Sequence, residues 1–177
     1  MWNKLIVALL VVMGIASCNT KEVNPADIVY YSGPVATAYN LRTEYSDSAR
    51  TKVVVNSKLQ LEYSDGDREF PQGIQVDFYN PDGKNAARLT ANYARYEKQT
   101  NLYIATGNVI IRDFIETKTL NTEELRWNRA EKRIFTDKFV RIQTATELLT
   151  GTGLTAAQDF STYRILKPAG SLSNGTL

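Results

Sequence analysis

The chain has 177 residues, which suits one domain, and it carries 21 Lys and Arg against 19 Asp and Glu. This near balance of charge leaves no basic surface of the kind that nucleic-acid binding requires. Histidine is absent, which excludes Ser-His-Asp and Cys-His catalysis and histidine-containing zinc sites, so we predict no enzyme activity, catalytic residue, cofactor or metal site.

The N-terminus has the pattern of an export signal. Lys4 precedes an apolar run from Leu5 to Met13, and small residues then lead to Cys18. The run is shorter than the stretch of about 20 apolar residues that spans a bilayer. We therefore predict that residues 1–17 are a signal peptide, and a marginal membrane anchor is the alternative.

The motif Ile15-Ala16-Ser17-Cys18 resembles the lipobox of bacterial lipoproteins. In these proteins the cysteine thiol receives a diacylglyceryl group, the signal peptide is cleaved just before it, and the new amino group is often acylated, for example by palmitate. Cys18 is the one cysteine of the chain, and an unpaired thiol would be a liability in an oxidising compartment. Several acyl chains also provide stable attachment. We predict a periplasmic lipoprotein anchored through Cys18, with the inner membrane as the expected location, and an incidental Cys18 is the alternative.

Residues 18–34 are polar and contain two prolines and a glycine, which predicts a lipidated linker. Beyond them, apolar side chains fall on alternate positions, as in antiparallel strands with one apolar face. Turn residues separate these runs at Ser64-Asp65-Gly66 and at Asn80-Pro81-Asp82-Gly83. The alternating positions are Val53, Val55, Leu59, Leu61, Tyr63, Ile74, Val76 and Phe78.

An internal repeat decides the structure of residues 86–97 and 121–133, which contain many helix formers. Both copies have a polar break followed by alternating apolar residues, which fits a strand–turn–strand unit and not a continuous helix. Such a repeat indicates one supersecondary unit stacked on its neighbours, so we predict an all-β fold of successive hairpins: a sandwich, a barrel or a jelly roll. The matching pairs, 31 positions apart, are Leu89/Leu120, Tyr96/Trp127, Ile104/Phe135, Val109/Val140 and Ile111/Ile142.

Five motifs, in this order and spacing, resemble the LptC family, the periplasmic component of the lipopolysaccharide export machine. They are Leu-Thr-Ala (89–91), Thr-Gly-Asn-Val (106–109), Leu-Asn-Thr-Glu-Glu-Leu-Arg-Trp (120–127), Ile-Phe-Thr-Asp (134–137) and Gly-Thr-Gly-Leu (151–154). The resemblance implies a twisted, half-open antiparallel β jelly roll over residues 35–168. Residues 169–177 are small and polar and are predicted to be a flexible tail. Many relatives have an N-terminal transmembrane helix, and the lipobox is the clear departure from that pattern.

The resemblance also implies a function. Family members accept lipopolysaccharide from an inner-membrane ABC extractor and pass it to an LptA-like jelly roll in a periplasmic bridge towards the outer membrane. The inward half of each strand can supply an apolar trough for the acyl chains of lipid A, and exposed strand edges can join partner rolls by β-augmentation. The predicted interior positions, for which an ordinary sandwich core is the alternative, are Leu59, Leu61, Ile74, Val76, Phe78, Leu102, Ile104, Val109, Ile111, Trp127, Ile134, Val140 and Ile142.

Three glycines have two interpretations. Gly107, Gly151 and Gly153 either bend the backbone towards a C-terminal edge at which a partner docks, with Gly151 and Gly153 lying at that edge, or they are turn and bulge glycines.

Two other functions remain open from the residues alone. A structural or adhesive β-sandwich lipoprotein would bind protein or glycan outside the cell, and protease accessibility on intact cells would indicate it. A hydrolase that uses only carboxylates is the other alternative, although no paired Asp/Glu arrangement stands out.

Overall fold

The structure is a computed structural model that describes residues 31–173. The predicted signal peptide, Cys18 and residues 18–30 of the predicted linker lie outside the described residues. From Gly33 onward the described chain forms one compact unit. Within the described part, no helix has the length and apolar character needed to cross a membrane.

Antiparallel strands make up the fold, which confirms the all-β prediction and agrees with a jelly roll. They form one 11-stranded sheet in the order β11-β10-β9-β8-β7-β5-β4-β2-β3-β6, with β1 also paired to β2 and β6 also paired to β7. The strands are β1 (Ala36–Asp47), β2 (Arg50–Glu62), β3 (Arg68–Phe70), β4 (Ile74–Tyr79), β5 (Asn85–Ala91), β6 (Tyr93–Glu97), β7 (Leu102–Asp113), β8 (Lys118–Asn128), β9 (Arg133–Gln143), β10 (Glu147–Ala157) and β11 (Tyr163–Ser173).

The long strands divide the sheet into two layers. In β2, residues 53–56 pair with β4, whereas Leu61 and Glu62 pair with β3. In β7, residues 110–113 pair with β5, whereas residues 102–106 pair with β6. We call the layer that contains β4 and β5 layer A, and the layer that contains β3 and β6 layer B. Strands β2 and β7 therefore each contribute to both layers, and β8 follows β7 along its whole length.

A line of β-bulges, which we call the crease, marks where strands pass from one layer to the other. The chain breaks at Asn92 between β5 and β6, and the Asn92 N–H donates to the Gly107 carbonyl at 2.9 Å. Register shifts follow between Thr122 and Arg126 in β8 and between Thr152 and Leu154 in β10. Because a bulge bends and twists its strand, the sequence repeat places a bend at the same point of successive hairpins.

Buried hydroxyls satisfy carbonyl groups along the crease. The Ser57 hydroxyl lies 2.9 Å from the Gly73 carbonyl oxygen, and the Thr122 hydroxyl donates to the Phe139 carbonyl at 2.8 Å. Both side chains are 7% exposed. A carbonyl that leaves the ladder of a sheet needs another partner, and these hydroxyls supply one where the strands bend.

The predicted turns form as expected. Gly66 has φ +89° and donates its N–H to the Tyr63 carbonyl, and Gly83 has φ +78° and donates to the Asn80 carbonyl. These left-handed conformations favour glycine, which has no Cβ. The Asn80 side-chain oxygen accepts the backbone N–H groups of Asp82 and Lys84.

Strand β11 extends past residue 168, where we expected the jelly roll to end. Ser171 pairs with Leu149 and Ser173 pairs with Glu147 of β10. Residues 169–173 of the predicted tail therefore form a strand. A ladder of backbone hydrogen bonds needs no apolar side chains, so the small, polar composition of this segment did not predict its structure.

Candidate functional site

The space between the two layers holds most of the predicted interior residues. Nine of the thirteen belong to the buried cluster that packs between layers A and B. Their location agrees with an inward orientation, and their binding of lipid stays a prediction. The nine are Ile74, Val76, Phe78, Val109, Ile111, Trp127, Ile134, Val140 and Ile142.

The remaining four predicted positions lie outside the buried cluster, so the structure does not place them in the interior. Ile104 is buried, but its neighbour Ala105 belongs to the cluster and Ile104 therefore faces the other side of β7, opposite Arg95 and Arg126. The other three are partly exposed and are Leu59, Leu61 and Leu102. Leu59 and Leu61 lie in the layer B half of β2, beyond the cluster.

Several interior residues were absent from the predicted set. The alanines of the cluster are too small to mark an apolar face in a sequence. The repeat did indicate that Leu89 and Leu120 are equivalent positions, and the alternation of apolar residues did mark Val53 and Val55 as one face of a strand. The omitted members are Val53, Val55, Phe70, Ala87, Leu89, Ala91, Ala94, Ala105, Leu120, Leu125, Leu154, Ala156 and Phe160.

Gly151 and Gly153 lie one strand in from the β11 edge, and their part in docking a partner stays a prediction. They belong to β10, which pairs with β9 on one side and β11 on the other. Gly153 has φ +78°, and a Cβ on Gly151 would lie 2.4 Å from Ile165 Cγ2. The alternative of bulge glycines fits these two residues, and it fits Gly107, whose φ is +75° beside a register shift in β7.

The layers meet again at the ends of the strands opposite the crease, a region that we call the mouth. Phe78 of layer A packs edge-on against Trp127 of layer B, with ring centroids 5.8 Å apart. The hydroxyl of Tyr45, near the end of β1, lies 3.2 Å from the hydroxyl of Tyr103 in layer B. A ring pair such as Phe78 and Trp127 contributes about 0.5–1.5 kcal/mol beyond its burial. One ring pair and one hydroxyl pair therefore hold the two layers together at this point.

Aromatic rings continue from the mouth across layer B. Tyr103 packs against Trp127 at 5.0 Å and against Tyr96 at 4.6 Å, and the Arg68 guanidinium lies 5.1 Å from the Tyr96 ring. Burial and the hydroxyl of Tyr45 raise the pKa of Tyr103, so its phenol remains neutral. The row thus presents broad apolar faces with uncharged hydroxyls at the edge of the interior.

A buried lysine joins the layers at another part of the mouth. Lys118 Nζ lies 2.7 Å from Glu116 Oε2 and 3.4 Å from Asp113 Oδ2 in layer A. It also lies 5.2 Å from the ring centroids of Phe160 and Tyr163, at the β10–β11 turn of layer B. Burial lowers the pKa of Lys118, but the Glu116 hydrogen bond and the Asp113 charge outweigh it and hold that pKa above its usual value. The lysine is therefore a cation in contact with both layers.

An open pocket of about 320 Å³ lies at the mouth, and we call it the mouth pocket. Val53, Phe78 and Trp127, which are buried, contribute to its lining. Lys52 lines it from layer A, and Arg129 and Lys132 line it from the β8–β9 turn of layer B. The pocket therefore combines apolar side chains with basic ones.

The interior on the other side of Phe78 and Trp127 is almost filled. These two rings also line an apolar cavity of about 20 Å³ together with Val76, Leu125 and other cluster residues. This volume is comparable to the space that one water molecule occupies. The structure is thus a closed form, in which a long apolar ligand would have to separate the layers.

Comparison with known proteins gives one family. A family model described as "Lipopolysaccharide-assembly, LptC-related" matches residues 5–168, which is most of the chain. No curated protein matches the chain significantly.

Proposed function

The chain belongs to the LptC-related family of lipopolysaccharide-assembly proteins, and from this membership we propose that it accepts lipopolysaccharide from an inner-membrane ABC extractor and passes it to the next jelly roll. The family contributes a periplasmic component to the bridge that transports lipopolysaccharide to the outer membrane. Handing a lipid from one protein to another requires binding and release and no change in covalent bonds.

The observation that carries the proposal is the apolar interior that reaches the mouth pocket. Phe78 and Trp127 line both the mouth pocket and the small interior cavity. Behind them, the buried cluster extends between the layers to Ile142 and Leu154. Acyl chains that pass between the two rings would replace contacts within this cluster by equivalent apolar contacts, so their transfer from water would be favourable.

Loading requires the layers to move apart at the mouth, since the closed interior has no room for an acyl chain. The side-chain contacts across the mouth include the Tyr45–Tyr103 hydroxyl pair and the Phe78–Trp127 ring pair. They also include the approach of Lys118 to Phe160 and Tyr163 and the approach of Arg129 to Tyr45. By contrast, the bulged strands run continuously through the crease. We therefore place the opening motion at the mouth, with the crease as the hinge. Closure of the layers behind a departing lipid would aid its release.

Hand-over to partner rolls would use the sheet edges. Among the described strands, β1 pairs with β2 alone and β11 pairs with β10 alone. Each leaves a row of backbone donors and acceptors on one side, which a strand of an LptA-like partner or of the extractor can complete.

Site-specific photo-crosslinking in cells tests the proposal. A photoreactive phenylalanine analogue at Phe78 or Tyr103 faces the interior, and the size-matched control at Phe139 lies on β9 with 56% of its surface exposed. We expect adducts with lipopolysaccharide at the first two positions and none at Phe139. Equal labelling at all three positions, or labelling at Phe139 alone, would contradict transport through the interior.

A further inference from the structure

Three cations surround the mouth pocket without partners of opposite charge. Lys52, Arg129 and Lys132 line the pocket, and none of them forms a salt bridge with another described residue. By contrast, eight other Lys and Arg side chains of the described chain are in ion pairs: Arg42, Arg68, Arg88, Arg95, Lys118, Arg126, Arg133 and Lys138. Three described cations without an ion pair therefore lie together at the place where the interior opens.

The three cations come from both layers. Lys52 is in β2 near the end of layer A, and Arg129 and Lys132 are in the turn between β8 and β9 at the end of layer B. The Arg129 guanidinium lies 4.2 Å from the centroid of the Tyr45 ring, which belongs to layer A. An anion between these side chains would contact both sides of the mouth at once.

Two carboxylates also line the pocket, and they restrict what can bind. Asp47 accepts a hydrogen bond from the Ser48 hydroxyl, and Asp159 accepts from the backbone N–H and the hydroxyl of Ser161. With three cations against two carboxylates, the pocket has a small positive excess. A ligand that carries phosphate together with sugar hydroxyls satisfies both kinds of group, because hydroxyls can donate to the carboxylates.

The apolar part of the lining sets the orientation of the ligand. Phe78 and Trp127 lie beside the cations in the same pocket and also face the buried cluster. A molecule with an anionic head and apolar tails would therefore hold its head at the cations and direct its tails between the two rings. The pocket volume of about 320 Å³ lies in the range of small-ligand sites.

We propose that the mouth pocket binds the phosphorylated sugar headgroup of lipid A through Lys52, Arg129 and Lys132. This proposal rests on the proposed transport function and adds a headgroup site to it. The phosphate bridges layer A and layer B at the mouth while the acyl chains occupy the interior. Charge-assisted contacts with three cations give the protein a preference for phosphorylated over dephosphorylated lipid.

The test compares two lipids that share their acyl chains. Purified full-length protein in detergent micelles is titrated with diphosphoryl lipid A and with the same lipid after removal of both phosphates. We expect the wild-type protein to bind the diphosphoryl form roughly tenfold more tightly. The variant Lys52→Gln/Arg129→Gln/Lys132→Gln should lose this preference and keep its affinity for the dephosphorylated lipid.

A matched control separates the site from net charge. The variant Lys58→Gln/Lys138→Gln/Lys167→Gln removes three exposed cations that do not line the mouth pocket, and it should keep the wild-type preference. The single variant Lys132→Gln, at an exposed position, should reduce the preference about threefold. Because a single exposed substitution is tolerated more easily than three, it tests the site even if the triple variant misfolds. Retention of the preference in the mouth variant, or its equal loss in the control, would overturn the headgroup site.

Two further outcomes are distinguishable. If the wild-type protein binds neither lipid, the transport proposal fails together with the headgroup site. If it binds both lipids equally, transport stands and the headgroup site is overturned. Millimolar inorganic phosphate should displace the diphosphoryl lipid no more than sodium chloride of the same ionic strength does. Stronger displacement would assign the three cations to free phosphate and overturn the lipid headgroup.

Discussion

At the scale of single residues, the fold contains polar groups that are buried and fully engaged. Asp77 lies between two inward-facing residues of β4 and so faces the outer side, where its side chain is 6% exposed. It accepts hydrogen bonds from Gln75 at 2.8 Å, Asn85 at 2.8 Å and Arg88 at 2.6 Å. Burial raises the pKa of Asp77, but these hydrogen bonds outweigh burial and hold its pKa below the ordinary value of 3.8.

The lowered pKa of Asp77 predicts that the free energy of unfolding depends on pH. Because the pKa of Asp77 is lower in the folded than in the unfolded protein, its contribution is present above the ordinary pKa and is lost as the pH falls through the folded pKa. We expect Asp77→Asn to lower the free energy of unfolding by about 1–2 kcal/mol at pH 7 and by much less in acid. Urea unfolding at several pH values measures the difference, and Glu123→Gln, at an exposed position, is the control. A difference that is constant with pH would refute this role.

The buried environment of Lys118 leads to a prediction about the stability of the protein. Its side chain and that of Asp113 are both 4% exposed, so removal of the cation leaves a buried carboxylate. We expect Lys118→Met to cost about 3 kcal/mol of unfolding free energy and Lys118→Met/Asp113→Asn to recover part of that loss. Thermal or urea unfolding of the four proteins in this cycle gives the coupling. An additive double variant would show that the two side chains do not interact.

At the scale of elements, the repeat determined the type of secondary structure. Residues 86–97 and 121–133 contain many helix formers, yet they form strands and turns, because inward and outward positions alternate along them. Burial of one face outweighs the small differences in helix propensity. The equivalence of Leu89 and Leu120 is structural as well, since both are paired with Ile111 from opposite sides.

The bulge in β10 predicts a sensitive glycine. A Cβ on Gly151 would lie 2.5 Å from the Lys167 carbonyl oxygen and 2.9 Å from Pro168 Cα, so β11 would have to move. We expect Gly151→Ala to destabilise the protein by about 1–3 kcal/mol and to increase amide exchange in β10 and β11. Gly83→Ala is the control, because nothing lies within 4 Å of its added Cβ and its cost is the strain of φ +78° alone. Unchanged exchange in β11 would contradict the steric account.

At the scale of the whole molecule, two layers share continuous strands at the crease and are joined by side chains at the mouth. This arrangement gives the jelly roll a natural direction of opening. It also places the mouth pocket next to the apolar interior, as the proposed binding of one amphiphile in both requires.

We predict that a lipid on Cys18 anchors the whole protein to a membrane. From Cys18 to the start of β1 at Ala36, a fully extended chain would reach at most roughly 60 Å, so a lipid on Cys18 would keep the roll close to the membrane. We expect Cys18→Ser to abolish labelling by an alkyne analogue of palmitate and to release the protein from the membrane fraction. Labelled, membrane-bound Cys18→Ser protein would point instead to an uncleaved apolar segment as the anchor.

Alternation and the 31-residue repeat predicted the strand character of β2, β4 and β5–β9, the two turns and nine of the interior positions, because period-two burial and turn chemistry are local properties. Other features depend on which residues meet across the fold. Ile104 faces outward because of the register of β7, and Phe160 is fully buried although it lies in a polar turn. Lys118 is buried at a position where a lysine is ordinarily solvated, since the ends of the two layers meet around it. The mouth pocket likewise requires Lys52 to approach Arg129 and Lys132 across the mouth, and only the folding of the sheet onto itself brings them together.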